Sequence, residues 1–80
     1  MTESNSQNEK TIGERRVRID FNVCRDEETW NDVDQCKRAF AMLINQCDHE
    51  KHRDPRLAAE AMTRIEDAAH WMVKLLTATS

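Results

Sequence analysis

Cys47, His49 and His52 fall within six residues, with Asp48 and Asp54 close by, and this set is the chain's nearest approach to a metal-ligating motif. Spacings of two and three around a turn bring such ligands within reach of a zinc ion. The second ligand pair of ordinary zinc modules is missing, and a polar turn collects histidines without any metal, so the reading is no metal and solvated turn residues. Acid–base and nucleophilic chemistry fare no better. No nucleophile–base arrangement is visible, and Glu66 and Asp67 lie on a predicted helix surface. The lone glycine, Gly13, makes no phosphate-cradling loop. The expectation is a protein that is not an enzyme and needs no cofactor. His70, beside Trp71, reads as a surface or interface residue.

The basic residues offer more. Arg15, Arg16 and Arg18 form one cluster, Lys37 and Arg38 a second, and Lys51, Arg53 and Arg56 a third. Guanidinium forks and ammonium groups suit phosphate, and Phe21 offers a face on which a base can stack. Fifteen acidic against twelve basic residues give a net charge of −3, which argues against duplex DNA as a partner. A compact ligand with two or three phosphates needs only a few positive groups, so net acidity does not exclude one.

The elements that hold these residues read as helical. Charged residues make up 34% and apolar ones 39% of eighty residues, with one Gly, one Pro and no Tyr, a composition of bundles and coiled coils. No apolar stretch is long enough for a transmembrane helix or a signal peptide. Cys24, Cys36 and Cys47 are odd in number and contain no Cys-x-x-Cys pair, pointing to free thiols and a reducing cytoplasm, that of a bacterial host under the resemblance below. Residues 1–14 are polar and read as a disordered N-terminal tail. Residues 15–79 read as a single domain. Its arm, residues 15–28, contains the strict alternation Val17, Ile19, Phe21, Val23, predicting an extended segment or a short strand. A lone strand must pair with another subunit or lie along the helices.

A first helix over about residues 30–48 is expected to cap near Thr29–Asn31, with Val33, Cys36, Phe40, Leu43, Ile44 and Cys47 as its apolar stripe. Asp54-Pro55 restarts the pattern as cap and first helical residue. The second helix, over about residues 55–77, carries Ala58, Ala61, Ile65, Ala68, Met72 and Leu75/Leu76 on one stripe. The fold class is therefore all-α: an antiparallel two-helix hairpin with an extended N-terminal arm. Two helices shelter only one seam, and a chain this short is marginal without staples. Leu57, Ala61, Ala68, Trp71 and Leu75 are read as an oligomer interface that a further copy fills. Homo-oligomerisation follows, with binding sites at the joints between subunits.

Phe21, the run Val33-Asp34-Gln35-Cys36-Lys37 leading into Ala41-Met42-Leu43-Ile44, and Ala61-Met62-Thr63-Arg64-Ile65-Glu66-Asp67-Ala68 with Trp71 resemble the phage anti-CBASS cyclic-oligonucleotide sponges. Phage anti-Thoeris sponges share the same hairpin. The likeness spans about residues 15–77. It implies a small helical subunit that assembles into dimers and then hexamers. Such proteins bind cyclic di- or trinucleotide signals without cleaving them, an immune-evasion role. By position, Lys37 with Arg38 fits a phosphate contact, Arg56 a basic residue opening the second helix, and Thr63 a ligand contact. Glu66 matches a family position or ties helices together. Arg18, Phe21 and Asn22 complete the expected ligand-binding set. Relatives often carry Tyr where this chain has Asn22, so either Phe21 takes the stacking role or a different cyclic nucleotide is preferred. The alternative reading is a helical protein–protein interaction module that docks on a host or phage protein through the Trp71 face.

Overall fold

The computed structural model describes residues 9–78. Among them lie three helices, α1 (Ile12–Arg16), α2 (Glu27–His49) and α3 (Pro55–Leu76), and no strand. The chain is all-α. The described residues form a flat body, 43 × 37 × 13 Å between Cα extremes.

The alternating segment is not a strand. Residues 1–8 of the expected tail lie outside the described residues, but Thr11–Glu14 open a helix. Thr11 Oγ1 accepts from the Glu14 backbone N–H at 3.1 Å, and Glu14 Oε1 accepts from the Thr11 N–H at 3.0 Å, a reciprocal cap. After five residues the chain reverses. Ile19 N–H reaches Glu14 O at 2.9 Å and Arg18 N–H reaches Arg15 O at 3.1 Å, with Arg18 at φ 57°. These are the bonds of a Schellman closure, in which the left-handed position usually falls to glycine. Local hydrogen bonds thus satisfy the backbone that a strand would have left waiting for another subunit. Val17 is buried and Ile19 half-buried, whereas Phe21 and Val23 are exposed.

α2 starts earlier than the expected Thr29–Asn31 cap. Asp26 is the cap, its Oδ2 accepting from the Thr29 N–H at 2.9 Å, and Glu27 and Glu28 add negative charge at the positive end of the helix dipole. Asp54 caps α3, accepting from the Leu57 N–H at 3.1 Å, and Pro55 takes the first helical position; both were legible from the sequence.

The core is small. Val17, Val33, Ala41, Ile44, Met62 and Ala69 are the buried apolar residues among those described, with Ile12, Ile19, Phe40, Cys47 and Ile65 against them. Leu43, expected on the inner stripe of α2, is exposed, and Ala41 is buried instead. On α3 the inner line runs through Met62, Ile65 and Ala69, while Ala68 and Leu75 face out. Apolar residues occupy two neighbouring faces of α3, and Ala68 and Leu75, read both on the inner stripe and at the interface, belong to the outer one. α1 sits on α2, and Arg16 crosses to α3, its Nε 2.7 Å from Glu66 Oε1.

Candidate functional site

The residues after the α1 reversal, Phe21–Asp26, run beside the first turns of α2 and the last turn of α3 and enclose a groove of about 490 Å³. Phe21, Asn22, Arg25, Thr29 and Lys37 supply its aromatic, polar and charged groups; Val33, Val73 and Leu76 supply much of its apolar wall.

Lys37 organises this region. Only 6% of it is exposed, and its Nζ donates to Arg18 O at 2.9 Å and to Phe21 O. The same ammonium lies 5.7 Å from the centroid of the Phe21 ring, within cation–π range. Burial pushes its pKa below the ordinary lysine value, and the nearby Arg18 guanidinium pushes in the same direction. Lys37 therefore ties the reversal at Arg18–Phe21 to α2 as well as lining the groove. Phe21 itself stays 60% exposed, its ring bordering the opening. Asn22 is engaged on both sides of its amide: Nδ2 donates to Trp30 O at 3.1 Å and Oδ1 accepts from the Cys24 N–H at 3.2 Å.

Of the expected ligand contacts, Phe21, Asn22 and Lys37 come together in this groove, with the Arg18 carbonyl bound to Lys37. The others do not join them. Arg38 is exposed on α2 and held by Asp34, with Nε 2.9 Å from Oδ2, a pairing that raises its pKa further. Thr63 lies on α3 and accepts from Arg16 Nη2 at 3.3 Å while donating to Ala59 O at 3.1 Å. Arg56 opens α3 at the end opposite to Val73, roughly 26 Å away along the helix at 1.5 Å per residue. One protomer thus spreads these side chains over separate surfaces.

Glu66, for which two roles stood open, ties α1 to α3 through Arg16. Arg25, which the sequence places only within the arm of residues 15–28, lines the groove. Nothing in its immediate sequence singles it out, because its role depends on where α3 ends. The expected interface residues Leu57, Trp71 and Leu75 are exposed, as is Ala68; Ala61 is half-buried.

Among the described residues no three His, Cys, Asp or Glu side chains converge as metal ligands would; His52 Nε2 instead stands 4.0 Å from Glu50 Oε1. No helix of the described residues is long and apolar enough to cross a membrane. Comparison of the chain with family models, with curated proteins and with solved structures gives no match.

Proposed function

We propose that the protein is a non-enzymatic sponge of the phage anti-CBASS type, which binds cyclic di- or trinucleotide signals and holds them away from host sensors. The observation that carries this reading is the groove between Phe21–Asp26 and the ends of α2 and α3. Its size falls within the range of about 300–1,000 Å³ usual for small-molecule sites, and it combines an apolar lining with a few polar groups. Phe21 offers a stacking surface for a base. Arg25 is exposed at the groove and supplies a guanidinium for a phosphate; Lys37 adds positive potential from below.

In this reading the helices form an antiparallel hairpin, and copies associate into dimers and then hexamers. The separate surfaces bearing Arg56, Thr63 and Arg38 then meet ligand across subunit joints. Neither a DNA duplex nor a membrane is a partner. Protection of the phage follows mass action: bound signal is unavailable to the sensor in proportion to sponge concentration and affinity.

The test is calorimetric titration with a panel of cyclic di- and trinucleotides, followed by mass spectrometry of the recovered ligand. Binding with intact recovery is expected. Phe21→Ala should weaken it by about 1–3 kcal/mol, the worth of a stacked base, and Arg25→Glu by about tenfold or more. No heat and no thermal shift across the panel would remove the proposal.

A further inference from the structure

The face of α3 turned away from the core carries a seven-residue repeat. Leu57, Ala61, Arg64, Ala68, Trp71 and Leu75 follow at steps of four, three, four, three and four, the spacing of a coiled-coil seam. Leu57 is 64%, Trp71 62% and Leu75 67% exposed, and none of the six belongs to the intramolecular core. That core uses the neighbouring face, through Met62, Ile65 and Ala69. A helix with two apolar faces needs two partners, and α2 supplies one.

The stripe is complementary to its own reverse. With two α3 helices set antiparallel about a two-fold axis at Glu66, Leu57 meets the partner's Leu75, Ala61 meets the partner's Trp71, and Arg64 meets the partner's Ala68. Bulky side chains then face small ones, or leucine faces leucine, which is what interdigitation needs. The flanking charges match in the same register. Glu60 falls beside the partner's Lys74 and Arg64 beside the partner's Asp67, and symmetry makes each pair occur twice; the two Asp67 carboxylates meet across the axis, with the two Arg64 guanidiniums beside them to offset their repulsion. These groups already stand at the seam: Arg64 Nε is 2.8 Å from Glu60 Oε2, and Lys74 Nζ lies 4.7 Å over the Trp71 ring. At the middle of the stripe, Glu60, Arg64, Asp67 and Ala68 border a hollow of about 450 Å³, space for the arriving arginine. A parallel pairing has none of this. It sets the two Trp71 rings against each other and leaves Glu60 and Asp67 facing the partner's Ile65 and Met72.

We infer that α3 is the dimerisation helix, and that two copies of this chain associate through it antiparallel in the Leu57–Leu75 register. The inference names the partner for one joint of the assembly proposed above. It does not rest on nucleotide binding, because titration reads the groove whereas the following measurements read α3.

Sedimentation of the full chain across micromolar concentrations should show reversible dimers or multiples of them. Lys74→Glu should weaken the association about tenfold, and Glu60→Lys combined with Lys74→Glu should restore it to within about threefold, since the exchange rebuilds each pair only in the antiparallel register. Circular dichroism establishes that these variants stay helical. Should Lys74→Glu fail to fold, disulfide trapping decides independently. A mixture of Leu57→Cys and Leu75→Cys chains should give covalent dimers above the level of the native cysteines, and neither variant alone should do so. A monomer at every concentration, a charge-exchanged chain as weak as Lys74→Glu, or equal trapping within a single variant would overturn the inference.

Discussion

Gly13 lies directly against the backbone of Ala41. A β-carbon at Gly13 would overlap the Ala41 carbonyl oxygen and stand 2.7 Å from its carbonyl carbon and 2.8 Å from its Cα. The Gly13 N–H also donates to Asn45 Oδ1 at 2.7 Å. α1 is therefore seated on α2 backbone to backbone, a contact only glycine permits. In an unhindered helix Gly→Ala stabilises by about 0.5–1 kcal/mol, so the sign of the effect is diagnostic. Gly13→Ala should destabilise by about 3 kcal/mol, the upper end of overpacking costs, because the obstacle is main chain and cannot swing aside. Urea denaturation measures this, and faster amide exchange confined to residues 12–21 would show α1 lifting away first.

Lys37 makes a second link between the first turn and α2. Lys37→Met keeps the aliphatic stem and removes the donor from the carbonyls of Arg18 and Phe21, with an expected loss of about 1–3 kcal/mol. The pH dependence follows from its lowered pKa. Just below the ordinary lysine value of 10.5, the unfolded chain holds this proton more tightly than the folded one, so Lys37's contribution to stability rises with pH there. The stability difference between the parent and Lys37→Met should widen across that range. A difference that narrows would place the ammonium in a less confining site than the one described.

How much of this arrangement the residue pattern carries depends on range. Asp54-Pro55 announced the start of α3 because capping is a local matter, and Val33 and Ile44 were readable as core from their spacing. Gly13 was not readable, since its need for glycine comes from Ala41, twenty-eight positions further along the chain. The alternation from Val17 to Val23 misled for a related reason: the Thr11–Glu14 cap and the Arg18 reversal outcompete an extended segment with nothing to pair with. Phe21 and the Lys37–Arg38 pair stand out by residue type as stacking and phosphate groups, and Asn22 joins them with the family resemblance. The convergence of Phe21, Asn22 and Lys37 in one groove depends on the reversal, which the alternation concealed. Arg25 was passed over because the end of α3 gives it its setting.

Arg18 occupies the left-handed region with φ 57°, where a β-carbon costs an L-residue roughly 1–2 kcal/mol. What the site uses is its main chain, since Arg18 O accepts from both Lys37 Nζ and the Phe21 N–H. Arg18→Gly should therefore stabilise the fold by about 1 kcal/mol, the gain in conformational fit being offset in part by the freer unfolded chain. It also removes one of the charges that depress the Lys37 pKa. A thermal melt checks it, and a lower midpoint than the parent's would mean that the arginine side chain contributes more than its backbone conformation costs.

The thiols provide a readout that joins the fold to the groove. Cys36 is half-buried on α2, and burial raises its pKa above the ordinary 9.0 although Lys37 pulls the other way. Because thiolate is the reactive form, Cys36 should alkylate more slowly than an unhindered thiol at neutral pH, and its rate should still be climbing above 9.0. The folded chain holds this proton more tightly than the unfolded one, so its contribution to stability falls as pH rises past that value. Cys24 lines the groove and Cys36 does not. A bound cyclic nucleotide should accordingly slow iodoacetamide labelling of Cys24 and leave the rate at Cys36 unchanged, as peptide-resolved mass spectrometry would show. Equal protection of both would point to a general tightening of the fold, and protection of neither would remove the ligand from the groove.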